Sequence, residues 1–152
     1  MREEVAADTA VRTPGRPAWR VTGRLTKGQV DTFLFTSFTY PEPLNLQVAD
    51  ALVFDAWVPA GQHSSAQLLA ILHQQNGADY LATTSCLLGA PGHTQVCLPL
   101  TRFQLAGWSK NDQGRLDPAT VTEIRIGWGG YYGFSGETVQ FTLSAPEVMA
   151  LP

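Results

Sequence analysis

Apolar and polar side chains alternate along most of this chain. In Thr122–Trp128, Ile124, Ile126 and Trp128 fall on one face and Glu123, Arg125 and Gly127 on the other. That period of two is the mark of a half-buried strand. Ala51–Val58 repeats it: Leu52, Phe54, Ala56 and Val58 make an apolar face, and Val53, Asp55 and Trp57 lie opposite. In Ala66–Gln75, Leu68, Ala70 and Leu72 read as core, leaving Leu69, Ile71 and His73 on the other side. Further strand-like runs cover Trp19–Thr26, Thr32–Tyr40, Tyr80–Cys86, Thr94–Leu98 and Thr138–Ser144. Between the runs stand turn residues: Pro41-Glu42-Pro43, Pro59-Ala60-Gly61, Asn76-Gly77, Pro91-Gly92, Asn111-Asp112-Gln113-Gly114 and Asp117-Pro118. Asn-Gly tolerates positive φ at both residues and predicts a hairpin. No segment sustains a helical period. Short strands separated by regular turns predict an all-β, two-sheet antiparallel sandwich.

Composition sharpens the domain picture. A chain of 152 residues with 44% hydrophobic and 15% charged residues fits one globular domain. Residues 1–17 are rich in Ala, Thr, Pro and charge and are expected to be a disordered basic leader, 18–146 the sandwich, and 147–152 a tail or linker. The tail points to an excised part of a longer protein. Six of the ten Lys and Arg fall in residues 1–27, yet the net charge of −3 gives no field for nucleic acid. The sequence has neither an apolar run long enough to span a membrane nor an apolar stretch of the secretion-signal type. Cys86 and Cys97 lie symmetrically about Pro91-Gly92. If that dipeptide is a two-residue hairpin turn, the thiols face each other as a disulfide or as two small buried hydrophobes.

Two places concentrate side chains suited to ligand binding. The first is the outward face of the strands carrying Asp55, Trp57, His73 and Arg125. If these strands share one sheet, an aromatic plane, a carboxylate and a guanidinium stand on a bed of Leu69 and Ile71. The bland reading makes Asp55–Arg125 a surface ion pair of little energetic weight and His73 a hydrogen-bonded structural residue. The second is Gly127–Gly136, with five glycines and Trp128, Tyr131, Tyr132 and Phe134. Trp128 is in phase with the core strand, whereas consecutive Tyr131 and Tyr132 put at least one ring outward. Trp108 is a candidate cap for one end of the sandwich or a further ligand contact.

Catalytic patterns are weak. Gly133-Phe134-Ser135-Gly136-Glu137 lacks the last glycine of a nucleophile elbow, and no helix follows it. His63, His73 and His93 show none of the local metal-ligand spacings. No two acids can be placed across a glycosidic bond. The chain is expected not to be an enzyme.

The stretch Pro43-Leu44-Asn45-Leu46, followed by Ala49-Asp50-Ala51-Leu52-Val53-Phe54-Asp55-Ala56-Trp57-Val58-Pro59-Ala60-Gly61, resembles a signature of bacterial jelly-roll carbohydrate-binding modules. These belong to the galactose-binding-like superfamily and are often appended to glycoside hydrolases. Asn76-Gly77-Ala78-Asp79-Tyr80, Val96-Cys97-Leu98-Pro99-Leu100-Thr101-Arg102-Phe103 and Leu116-Asp117 through Ile126-Gly127 resemble further segments, in the same order. The similarity spans Trp19 to Leu143. It implies a jelly roll that binds an oligo- or polysaccharide on a sheet face or end loops, a catalytic domain in the same parent protein, and an extracellular or periplasmic location. On that reading the ligand contacts are the residues that strand phase and the aromatic loop single out: Asp55, Trp57, His73, Arg125, Trp128, Tyr131 and Tyr132. It also implies a structural calcium, for which Asp31, Glu42 and Glu137 offer oxygens. The terminal strand departs from the pattern: Val139-Gln140-Phe141-Thr142-Leu143 has no Asp where many such modules carry one. The rival expectation is a structural or oligomerisation sandwich whose aromatic loop and Leu69/Ile71 face are covered by a neighbour.

Overall fold

The computed structural model describes residues 2–7, 18–24, 33–47, 49–64, 66–109, 114–129 and 137–150. Its strands are β1 (Arg2–Ala7), β2 (Ala18–Arg24), β3 (Phe33–Leu44), β4 (Ala51–Val58), β5 (Gln67–Gln74), β6 (Asp79–Leu87), β7 (Gly92–Pro99), β8 (Gln104–Leu105), β9 (Val121–Gly129), β10 (Thr138–Ser144) and β11 (Glu147–Met149). They form two antiparallel sheets, one six-stranded and one five-stranded. The six-stranded sheet runs β1-β2-β10-β4, with β7 and β11 also paired to β4. The five-stranded sheet runs β3-β9-β5-β6-β8. The architecture is the all-β two-sheet jelly-roll sandwich.

The alternation sets the core. Leu52, Phe54, Ala56 and Val58 of β4 face Leu68, Ala70 and Leu72 of β5 and Ile124, Ile126 and Trp128 of β9 in one buried cluster. Val139, Phe141 and Leu143 of β10 complete it from the six-stranded sheet. Each large apolar side chain taken from water contributes about 1.5–3 kcal/mol before entropy is counted, so the inward phase of every strand is strongly specified. Trp19 and Phe38 meet edge to face across the sheets, ring centres 5.1 Å apart.

The Asn76-Gly77 hairpin joins β5 to β6 as expected. Gly77 has φ +90°, and Asn76 Oδ1 accepts the Ala78 N–H at 3.0 Å. Asp117-Pro118 also turns, with Asp117 Oδ1 accepting from the Ala119 N–H at 3.1 Å.

Several expectations are corrected. Pro41-Glu42-Pro43 is not a turn: β3 continues through it to Leu44, with a register shift between Thr39 and Leu44. Prolines are tolerated there because β3 is an edge strand among the described residues, where their missing donors break no ladder bond. Pro91-Gly92 is not a hairpin turn either, since β6 and β7 belong to different sheets and the connection crosses the sandwich. Cys86 and Cys97 are accordingly free thiols, the first buried and the second exposed. Within the expected leader, Arg2–Ala7 pairs antiparallel with β2, while residues 8–17 lie outside the described residues. Within the expected tail, Glu147–Met149 pairs with β4.

Candidate functional site

The two sheets divide the expected ligand platform. Strand β4 lies in the six-stranded sheet and β5 and β9 in the five-stranded one, so Asp55 and Trp57 point away from His73 and Arg125, from opposite outer faces. On the β4 face, His93 of β7 stacks on Trp57 with ring centres 4.9 Å apart and an angle of 17°. The His93 ring meets Asp55 through Nε2 and Oδ1 at 2.8 Å. Asp55 therefore pairs with His93, and Arg125 finds its carboxylates elsewhere.

The outer face of the five-stranded sheet carries the denser chemistry. Strand register aligns Thr39, Glu123, His73 and Asp79 in one row, and Ser37, Arg125, Ile71, Leu81 and Gln104 in the next. At about 4.8 Å between strands, the second row spans about 19 Å of sheet. Arg125 grips Glu123 with two parallel bonds, Nε to Oε1 at 2.9 Å and Nη2 to Oε2 at 3.0 Å. Its Nη1 lies 3.7 Å from Asp79 Oδ2. The Arg125 fork holds the Glu123 carboxyl below the usual glutamate range, and the same bonds push the Arg125 guanidinium up.

Asp79 is the centre of this cluster. Its side chain is only 9% exposed. Oδ1 meets His73 Nδ1 at 2.6 Å, and Oδ2 accepts the indole N–H of Trp108 at 2.8 Å. Its backbone N–H donates to Ser109 Oγ at 2.8 Å, and its carbonyl accepts from the Ala106 N–H at 2.9 Å. The segment Ala106–Ser109 is thus clamped to the first residue of β6. Trp108 nevertheless remains 63% exposed. A large ring held by its only polar atom, with much of its surface in water, is a stacking platform beside a carboxylate, a guanidinium and an imidazole.

Beside this cluster the floor is apolar: Ile71 is buried and Leu69 half-buried. Gly127 lies in the row with Phe35, Leu69 and Thr83. A Cβ on it would sit 1.9 Å from the Leu34 carbonyl oxygen, so strands β9 and β3 approach too closely for any side chain there.

The remaining expected contacts fall differently. Trp128 is fully buried in the core, and its Nε1 has no hydrogen-bond partner among the described residues. It lies on neither outer face, so its assignment as a ligand contact is corrected: the strand's period points it inward. Tyr131 and Tyr132 lie outside the described residues, as does Asp31. Glu42 is exposed, and Glu137 Oε1 accepts the His63 N–H at 2.8 Å. Among the described residues no three His, Cys, Asp or Glu side chains gather as a metal site. Asp79 and the clamped position of Trp108 were missed in the sequence. The one available signal was the Asn76-Gly77 turn, which places Asp79 at the start of β6.

Neither a protein-family model nor a curated protein sequence matches the chain. Solved structures do match by shape. A family 11 carbohydrate-binding module from Clostridium thermocellum, in complex with a β-1,3-1,4-mixed-linked tetrasaccharide, superposes with a TM-score of 0.70 at 10% identity, covering 98% of this chain and 83% of that one. The fold is that of the carbohydrate-binding modules. A family 30 module of a cellulosomal cellulase of the same organism gives a TM-score of 0.63 at 16% identity, covering 96% and 82%. An agarase gives 0.60 at 15% identity, and there the carbohydrate-binding-module fold of this chain, 99% covered, corresponds to only 24% of the enzyme.

Proposed function

We propose that this chain is a non-catalytic carbohydrate-binding module that holds an oligo- or polysaccharide on the outer face of its five-stranded sheet. The observation that carries this reading is the exposed Trp108 ring tied by its N–H to the buried Asp79 carboxylate. An apolar plane flanked by a few placed polar groups suits the two kinds of surface a pyranose offers. The Trp108 ring takes the apolar face of the sugar. Arg125, Glu123 and His73 meet its hydroxyls. The fold shared with carbohydrate-binding modules supports the same reading. The module raises the local concentration of an attached catalytic domain on its polymer. A parent glycoside hydrolase and an extracellular setting are part of this reading, supported by the cellulosomal cellulase and the agarase in which the similar modules stand. No described helix is long and apolar enough to cross a membrane.

The test is a glycan array probed with the intact chain and with Trp108→Ala and Trp57→Ala variants. Binding to a defined polysaccharide class that disappears in Trp108→Ala and persists in Trp57→Ala is the expected result. Loss in Trp57→Ala alone would move the site to the β4 face. A chain that binds no glycan and forms a stable oligomer would favour the structural-module alternative.

A further inference from the structure

The row Ser37–Arg125–Ile71–Leu81–Gln104 does not stop at a wall. Strand β8 is two residues long and pairs only with Tyr80 and Leu81, leaving the rest of the β6 edge beyond it uncovered by β8. A cleft of about 560 Å³ opens there, lined by Leu81, Thr83, Thr101, Arg102, Gln104 and Gly107, among others. Its size falls within the range of small-ligand sites, about 300–1,000 Å³. Leu81 and Gln104 belong both to the row and to the cleft, so one floor runs from the Arg125 cluster into it. Gly107, on the cleft wall, is the residue before Trp108.

The charges along this floor are unevenly satisfied. At one end, Glu123 is gripped by Arg125, and Asp79 is engaged by His73 and Trp108. At the other, Arg102 ends a single 3₁₀ turn, Leu100–Arg102, and is exposed. Among the described residues no acid lies within ion-pair distance of it. A guanidinium presents a flat fork of donors that matches the oxygens of a carboxylate or a sulfate. The hydroxyls of Thr83 and Thr101 and the amide of Gln104 add polar groups around the same space.

We infer that this cleft is an anion-recognising subsite, so that the preferred ligand is a polysaccharide carrying carboxylate or sulfate groups. One sugar stacks on Trp108 while an acidic neighbour along the chain sets its anion against Arg102. This rests on the reading of the Trp108 face as a carbohydrate site and adds the class of polymer it selects.

The experiment measures binding to immobilised alginate (carboxylate), carrageenan (sulfate), and neutral agarose and mixed-linked β-glucan, for the intact chain, Arg102→Gln and Trp108→Ala. The expected result is tighter binding to at least one anionic polymer than to the neutral ones. Arg102→Gln should lose roughly tenfold or more on that polymer and change little on the neutral ones. The preference should shrink between about 0.01 M and 0.15 M ionic strength, where the screening length falls from about 30 Å to about 8 Å. Trp108→Ala should weaken binding to both polymer types. The alginate and carrageenan arms identify the anion. If Arg102→Gln binds the anionic polymers as well as the intact chain, or if only neutral polymers bind, the anion subsite is overturned while the carbohydrate reading stands. If no polymer binds the intact chain, both fall.

Discussion

The indole N–H of Trp108 donates to Oδ2 of Asp79 at 2.8 Å, across 29 positions of sequence. That bond uses the single polar atom of the ring and fixes its plane relative to β6. Asp79 is therefore a positioning residue, and its removal should act through Trp108. Asp79→Ala should lower saccharide affinity nearly as far as Trp108→Ala, and the double variant should lose little more. Calorimetric titration of the four proteins measures this, with a coupling of about 0.5–3 kcal/mol expected for residues in one network. Additive losses would show that Asp79 acts on the ligand independently.

The two tryptophans Trp108 and Trp128 should separate binding from stability. Trp128 is fully buried, so Trp128→Ala should cost about 3–5 kcal/mol in denaturant unfolding. Trp108→Ala, at an exposed ring, should cost less, about 1–3 kcal/mol, for the hydrogen bond lost to the nearly buried Asp79 carboxylate.

Gly127 should tolerate no side chain. The Leu34 carbonyl oxygen stands 1.9 Å from where a Cβ would be, and the neighbouring Phe35 Cα 2.7 Å. Gly127→Ala should force β3 from β9, lower the unfolding midpoint and loosen hydrogen-exchange protection of the β3 amides more than those of β4.

Glu123 makes the site sensitive to acid. Its folded-state pKa is depressed by the Arg125 bonds, so the stabilisation is present above the unfolded value of about 4.3. It is lost as pH falls through the depressed folded value. The Glu123–Arg125 contribution to stability should therefore be complete above about pH 4.3 and decline as pH falls below it. Glu123→Gln should flatten that part of an acid-unfolding profile.

The thiols should differ sharply in reactivity. Cys97 is exposed on β7, while burial raises the Cys86 thiol pKa. A maleimide should label Cys97 in the folded protein, and Cys86 only after unfolding. Mass spectrometry under mild oxidation should show no bond between them.

How far the sequence could be read follows from what alternation encodes. A period of two assigns each side chain to a face of its own strand, and the core of Leu68, Ala70, Leu72, Ile124 and Ile126 was legible for that reason. It does not say which strand lies alongside. Asp55 and Trp57 alternate just as His73 does, yet β4 and β5 part into different sheets. Pro91-Gly92 carries the same turn chemistry whether the chain folds back beside itself or crosses the sandwich. Trp108 stands in a short clamped segment with no periodicity at all. Its place in the site depends on Asp79, Ser109 and Ala106 meeting across the fold.

The prolines at 41 and 43 give the module a protected flank. An uncovered edge strand invites another chain to extend the sheet, and the usual outcome is aggregation. Two positions of β3 can offer no N–H to an incoming strand, and a register shift interrupts the ladder just there. Copies crowded side by side along one polymer would thus meet at an edge unsuited to cross-pairing. If the chain gathers on a polymer as proposed, the feature that reads as a turn in the sequence is what would keep its sheets separate.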